Sequence, residues 1–365
     1  MLKTHLNATL TILSISLAAH ANPSEKPTDR PEEIVKQDPI SAGYNASASY
    51  PCINNWDIFI TADYLYWDWS QSSFLLGTTT PIENVALQGS TGSRKTVYQT
   101  PGYASGFQVG VGVNMPKMDD WNLFSEYTRY RNSNTTSILS GPGSMIIFPT
   151  SANPSSDSSL STLEGTFSSN IQMNYDSVDF LLKRPFYFGK KLTANFGAGL
   201  RALFISQKFI REMDGFNGAD LITIINRTET STPSTWGLGP KFSFETNWML
   251  GHGLQIMMNL ATSVLYTRYT LNSNGTAEII SGNRTFNTSF SWDEISQLNA
   301  LRPITESFVG LGWKSAFCNK KYYIALSAGY NFDVFWNYDM LNYAASQTQG
   351  DMFLQGLNVQ TRFDF

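Results

Sequence analysis

Any catalysis by this 365-residue chain would have to come from a very small set of side chains. Its three histidines are His5, His20 and His252. The first two fall in an export leader described below, which leaves His252 as the one residue suited to general acid–base work near neutral pH. It lies in "LGHG", which reads as a short turn, so a Ser–His–acid site there is not expected. One histidine and two distant cysteines, Cys52 and Cys318, give no metal-ligand cluster. The glycine-rich "GFQVGVG" (106–112) lacks the GxGxxG order and a following helix, so it is a strand face and not a phosphate cradle. The expectation is a protein that is not an enzyme, with no catalytic residue, metal or cofactor.

The remaining chemistry is electrostatic. Asp57, Asp63, Glu126, Asp179, Lys183, Arg201, Lys241, Glu245, Glu306, Asp333, Arg362 and Asp364 fall mainly on the polar side of segments that alternate apolar and polar residues. On the inner wall of a barrel they would line a pore, or pair across it and plug it. Both readings are open from the sequence.

The elements that must position these charges are strands. In "GFQVGVGVNM", Phe107, Val109, Val111, Val113 and Met115 share one face, against Gln108, Gly110, Gly112 and Asn114, and no helical period fits. Ten such runs occur, near 56–69, 104–115, 121–131, 171–183, 192–207, 236–248, 254–268, 297–313, 322–336 and 352–365. The gaps between them alternate strictly between short and long. Gaps 116–120, 184–191, 249–253 and 314–321 hold turn formers, whereas 70–103, 132–170, 208–235, 269–296 and 337–351 are longer, and most are rich in Ser, Thr, Asn and Gly. Outer-membrane barrels have this asymmetry, with short periplasmic turns and long outer loops.

Two segments break the pattern. In "IQMNYDSVDFLLKR" the apolar parity switches between Tyr175 and Val178, which suggests a bulge or a misplaced boundary. In "WDIFITADYLYWDW" both parities hold aromatics, and Asp57, Thr61 and Asp63 are assigned inward on charge cost. Trp67, Trp69, Trp121, Trp236, Trp248, Trp313, Trp336 and Tyr266 lie near strand ends, where a headgroup girdle is expected. Lumen-facing glycines (Gly110, Gly112, Gly197, Gly199, Gly237, Gly239, Gly310, Gly329, Gly356) are expected to keep some space free.

Bulk properties agree with export. "MLKTHLNATLTILSISLAAHA" reads as a signal peptide over residues 1–21. Its removal takes away Lys3 and no acid, so the formal charge of −4 becomes −5. Mild acidity without a basic patch argues against nucleic acid as a partner. Residues 22–52, rich in Pro and charge, read as a mobile periplasmic leader, and 53–365 as the barrel. Cys52 and Cys318 both fall on the expected periplasmic side, where they could form a disulfide, cross-link the envelope or stay as free thiols.

"ADYLYW" (62–67), "GFQVGVG" (106–112), "WNLFSEYT" (121–128), "FYFGKKLTANFGAGLRALFISQ" (186–207), "GYNFDVFW" (329–336) and "QGLNVQTRFDF" (355–365) together resemble the Legionella-type major outer membrane protein family, which also occurs in chlamydia-like bacteria. The resemblance covers about 56–365. It implies an outer-membrane barrel in a diderm bacterium, described as a porin and, for some members, as a surface adhesin.

The fold expected is therefore all-β: a transmembrane antiparallel barrel of about ten strands, or of twelve or more if 72–100 or 139–165 add some. Ten strands about 4.8 Å apart and tilted about 40° give a backbone radius of roughly 10 Å, room for a narrow pore at most. The leading expectation is a porin for small hydrophilic solutes or ions. The alternative is a closed structural barrel or adhesin whose loops meet host or neighbouring-cell molecules. Outer-membrane lipid and the barrel-assembly machinery are the general partners expected, and an oligomer is compatible. The terminal residues Phe363 and Phe365 read as the assembly signal, with Leu357 to Phe365 facing lipid.

Overall fold

The computed structural model describes residues 46–48, 57–71, 74–81, 95–116, 118–140, 144–147, 163–217, 223–281, 287–318, 321–339 and 350–365. The expected signal peptide, most of the leader and Cys52 lie outside the described residues. Among the described residues there are thirteen strands and no helix: β1 (Ile58–Gln71), β2 (Leu75–Pro81), β3 (Lys95–Tyr98), β4 (Tyr103–Met115), β5 (Trp121–Ser140), β6 (Ser144–Ile147), β7 (Leu163–Tyr187), β8 (Leu192–Asn217), β9 (Thr223–Gly251), β10 (Leu254–Ser281), β11 (Asn287–Phe317), β12 (Tyr322–Asp339) and β13 (Gly350–Asp364).

Ten of them close a ring in the order β1, β4, β5, β7, β8, β9, β10, β11, β12, β13, each antiparallel to its neighbours. The seam is β13 on β1, running from Phe59↔Asp364 to Gln71↔Met352. It is finished by Ile58 N–H to the Phe365 carbonyl (3.1 Å) and Phe365 N–H to the Ile58 carbonyl (2.9 Å). Closure leaves no open edge in lipid, which is what makes a sheet viable there. The segments that could have supplied further barrel strands do form strands, but outside the ring. β2, β3 and β6 make a small sheet attached to the outer end of β7 through Ile146↔Leu163. The count is ten, not twelve or more.

The expected long loops need a second correction. β7 to β11 run far past the sequence-based boundaries, so the polar stretches within 208–235 and 269–296 are largely paired strand. Connection 218–222 is only five residues long. These stretches show no apolar alternation because neither face meets lipid, yet backbone pairing does not require apolar side chains. β11, with 31 residues, spans on the order of 70 Å along the axis, well beyond an apolar band of about 25 Å.

Two prolines in β9 mark the cost of a ring without edges. Proline cannot donate to a ladder. Opposite Pro240 and Gly239 the β9–β10 pairing skips Val264 and Leu265, and opposite Pro233 and Thr232 the β8–β9 pairing skips Gln207 and Lys208.

Outward faces carry an apolar belt. On β9, Trp236, Leu238, Phe242, Phe244 and Trp248 are all exposed, a run of roughly 30 Å along the axis at about 40° tilt. Phe107, Val109, Val111 and Val113 on β4, Leu301, Val309 and Leu311 on β11, and Leu357 and Val359 on β13 continue it round the ring. Soluble monomers rarely leave so continuous an apolar surface uncovered, and such a surface marks a contact with a membrane or another apolar partner. At one end the belt finishes in Phe317, Tyr322, Phe363 and Phe365, whose ring centroids lie 5.7–6.1 Å apart in a chain of contacts.

Candidate functional site

The barrel interior holds almost all of the sequence-selected charges, and it is built in layers. Nearest the short turns is a polar cavity of about 250 Å³, lined among others by Thr61, Asp63, Glu126, Lys183, Arg201, Lys241, Glu245, Glu306, Asp333 and Arg362. Strand alternation puts every second residue inside, and the registers of β7 on β8, β8 on β9, β9 on β10 and β10 on β11 bring the charges of β7, β8, β9 and β11 to neighbouring levels.

At the centre of this layer Asp179 accepts hydrogen bonds from Arg201 Nε and Nη2, both at 2.7 Å, and from Lys241 Nζ at 2.7 Å. Glu306 from β11 completes a four-membered cluster, 2.6 Å from Lys241 Nζ and bonded to Arg201 Nη1. A second group joins Lys183 Nζ to Glu245 Oε1 at 2.6 Å, with Asn195 donating to Oε2 at 2.8 Å. Near the seam Arg362 donates to both oxygens of Asp364 at 2.9 and 2.6 Å and stacks over the Phe59 ring, while Asp63 accepts from Asn358 and Gln360. Paired, hydrogen-bonded charges are the form in which ions are tolerated away from bulk water. Among the selected residues, Asp57 lies outside the barrel interior. It precedes β1 at the lip, half-buried, with a positive φ of 54°, its carbonyl accepting from Asn114 N–H at 2.7 Å.

Lumen glycines do not leave space as expected. A Cβ at Gly110 would lie 2.6 Å from Phe124 Cζ, and one at Gly329 would lie 2.6 Å from Phe308 Cζ. The rings of Phe59 and Phe124, stacked at 5.6 Å, occupy what the glycines vacate. Missing side chains on one strand admit large ones from the next.

Beyond the charged layer lies an apolar one that sequence reasoning missed. Leu65, Trp67 and Trp69 of β1, Tyr130 of β5, Ile171, Met173 and Tyr175 of β7, Leu203, Ile205 and Phe209 of β8, Leu265, Tyr269 and Leu271 of β10, Ile304 of β11, Phe335 and Tyr338 of β12, and Met352 and Leu354 of β13 pack together with Phe74, each nearly or wholly inaccessible. They meet across the full width of the barrel. Tyr175 and Phe335, on strands five places apart in a ring of ten, have centroids 5.8 Å apart. Trp69 meets Phe209 at 6.2 Å, and Gln207 Nε2 reaches Met352 Sδ at 3.6 Å. Arg302, 2% exposed, lies between the rings of Tyr269 and Tyr338.

This layer corrects two expectations. Trp67 and Trp69 are not girdle residues but parts of the plug, 3% and 0% exposed; Trp236, Trp248, Trp313, Trp336 and Tyr266 do face outward. The parity change between Tyr175 and Val178 is no bulge either, because β7 keeps one register with β5 and β8 throughout. Ile171, Met173 and Tyr175 point into the plug, while Val178, Phe180 and Leu182 point to lipid. That switch in apolar parity was the available signal that the lumen has an apolar storey.

At the mouth of the cavity, residues 46–48 add a short pairing to the end of β7. Ser47 bridges Phe186, Tyr187 N–H donates to the Ala46 carbonyl at 2.8 Å, and Ala48 lines the cavity. His252 stands exposed in the β9–β10 turn with φ 51°, and Cys318 is exposed in the β11–β12 turn. The expected disulfide involves Cys52 and lies outside the described residues.

A family model described as Legionella pneumophila major outer membrane protein precursor matches residues 37–365. No curated protein sequence matches the chain. Among solved structures, the outer membrane protease OmpT of Escherichia coli shares 8% identity at a TM-score of 0.46, with 88% of this chain and 100% of that one covered. A major outer membrane protein of Thermus thermophilus shares 13% identity at 0.26, covering 84% and 98%. The toluene transporter TbuX of Ralstonia pickettii shares 9% at 0.25, covering 85% and 89%.

Proposed function

Since the chain belongs to the Legionella major outer membrane protein family and is a barrel of the outer membrane, we propose that it works there as a closed, non-enzymatic structural barrel that displays polar strand extensions at the cell surface. The observation that carries this reading is the contact of Tyr175 with Phe335 across the barrel diameter, inside a layer drawn from eight strands. A path for hydrophilic solutes would have to pass both this layer and the Asp179–Arg201–Lys241–Glu306 cluster. The displayed part consists of the polar ends of β5 and β7–β11, to which β2, β3 and β6 are attached. Its partners in this role are host or neighbouring-cell surface molecules.

The porin reading is favoured by one feature, the polar cavity of about 250 Å³ on the turn side of the plug. Conduction then requires the apolar layer to part. The two readings separate in a planar bilayer. Purified, folded protein is expected to insert without conductance steps at moderate voltage; steady, discrete steps from the unaltered protein would replace the closed-barrel reading with the porin one.

A further inference from the structure

The outer rim of the barrel is charged unevenly. Strands β12, β13, β1 and β4, a continuous arc of the ring, carry no Lys or Arg on their outward faces, and β1 and β13 turn Asp68 and Asp351 outward there. On the arc from β5 to β8 cations stand next to the belt, and the exposed acids Glu212 and Asp214 of β8 lie farther out along that strand. Arg129 and Arg131 of β5 and Lys208 of β8 point outward, and Arg129 and Lys208 are exposed. They stand immediately beyond the apolar belt, which ends on this side in Tyr127, Phe180 and Phe204, the latter two more than half exposed.

The patch is organised rather than scattered. Arg131 is fixed by donation to the carbonyls of Tyr130 (2.8 Å) and Tyr175 (2.7 Å) and by its pair with Asp176. Tyr127 Oη donates to the other oxygen of Asp176 at 2.7 Å. The one outward acid at this level is thereby engaged on both oxygens, leaving three cations against one carboxylate. Between them lie outward donors: Asn174 pairs with Arg131 and Ser206 in register, and Gln172 with Lys208. Register places the Arg131 and Lys208 backbones roughly 12 Å apart, a gap their side chains can close around one anionic group.

We propose that this face binds a phosphorylated lipid of the outer leaflet. Its headgroup phosphate would lie among Arg129, Arg131 and Lys208, and its acyl chains against Val178, Phe180 and Phe204. The long connections and the strand extensions put this end of the belt on the outer side. The headgroup layer necessarily meets the barrel there, and guanidinium groups favour phosphate through paired hydrogen bonds.

The test uses the full barrel in mild detergent, with native mass spectrometry counting bound lipid and urea unfolding as a second readout. The probes are a phosphorylated outer-membrane glycolipid, its dephosphorylated form and inorganic phosphate. The unaltered protein should bind the phosphorylated form at least tenfold more tightly than the dephosphorylated one, and inorganic phosphate should neither bind nor stabilise. Arg129→Glu with Lys208→Glu should weaken lipid binding at least tenfold with the far-ultraviolet spectrum unchanged, while Arg268→Glu on β10 should leave it as it was. Equal binding of the two glycolipids, retention by the double variant, equal loss in Arg268→Glu, or inorganic phosphate binding as well as lipid would each overturn the proposal.

Discussion

Asp179 shows how this lumen tolerates charge. Its carboxylate is almost fully inaccessible, and three hydrogen bonds at 2.7 Å from Arg201 and Lys241 replace the water it has lost. Removing one member of such a group leaves the others uncompensated, at a cost of about 3–5 kcal/mol. Asp179→Asn is therefore expected to lower stability by about 3 kcal/mol in urea unfolding from lipid vesicles, followed by tryptophan fluorescence. Arg201→Met added to Asp179→Leu is expected to recover most of that loss. A change below about 1 kcal/mol in Asp179→Asn would mean that the cluster is hydrated like a surface pair. The sequence identified each member of this cluster by its polar parity. It did not show that the four meet, because they come from β7, β8, β9 and β11, and only the registers bring them to neighbouring levels.

Among the elements, the inner segments of the strands were legible and their outer ends were not. Within the lipid belt each strand has one apolar and one polar face, so "GFQVGVGVNM" or "LTANFGAGLRALF" declares itself. Past the belt both faces meet water or polar side chains, and Thr, Ser and Asn fill both, as in β10 beyond Tyr269. A paired strand and a loop of that composition look alike in sequence. Hydrogen exchange distinguishes them. Backbone amides of 269–276 and 296–300 are expected to be protected in the same range as those of 255–265, because the β10–β11 ladder continues unbroken from Leu254↔Trp313 to Ile280↔Asn287. Exchange within seconds across 269–276 would return that stretch to the loop class.

At the scale of the whole molecule, ten strands give a radius of roughly 10 Å, and large side chains from opposite walls can touch. They do so in Tyr175 with Phe335 and Trp69 with Phe209. The plug is thus a property of the closed ring, and its removal should show at that scale. A variant with Trp69→Ala, Tyr175→Ala, Phe209→Ala and Phe335→Ala is expected to give discrete conductance steps in a planar bilayer, and the unaltered protein is expected to give none. A folded but silent variant would place the block in the ion-pair layer instead. Phe209→Ala alone is a useful companion, since it removes one wall of the contact with Trp69 and Phe74 and should change conductance far less.

The sequence by itself determined the class of the molecule: strand period, ring-compatible strand number, apolar outer face and charged inner face all follow from a two-residue alternation that local chemistry enforces. It also determined which face of the last strand meets lipid, since Leu357 and Val359 are exposed while Asp364 is buried. What only the tertiary structure decided is whether the inside is open. Alternation states which side a residue points to, but not what stands opposite it. Ring closure brings β7 against β12 and β8 against β13 across the lumen, and those pairings are set by strand order, register and shear, none of which is encoded in any one segment.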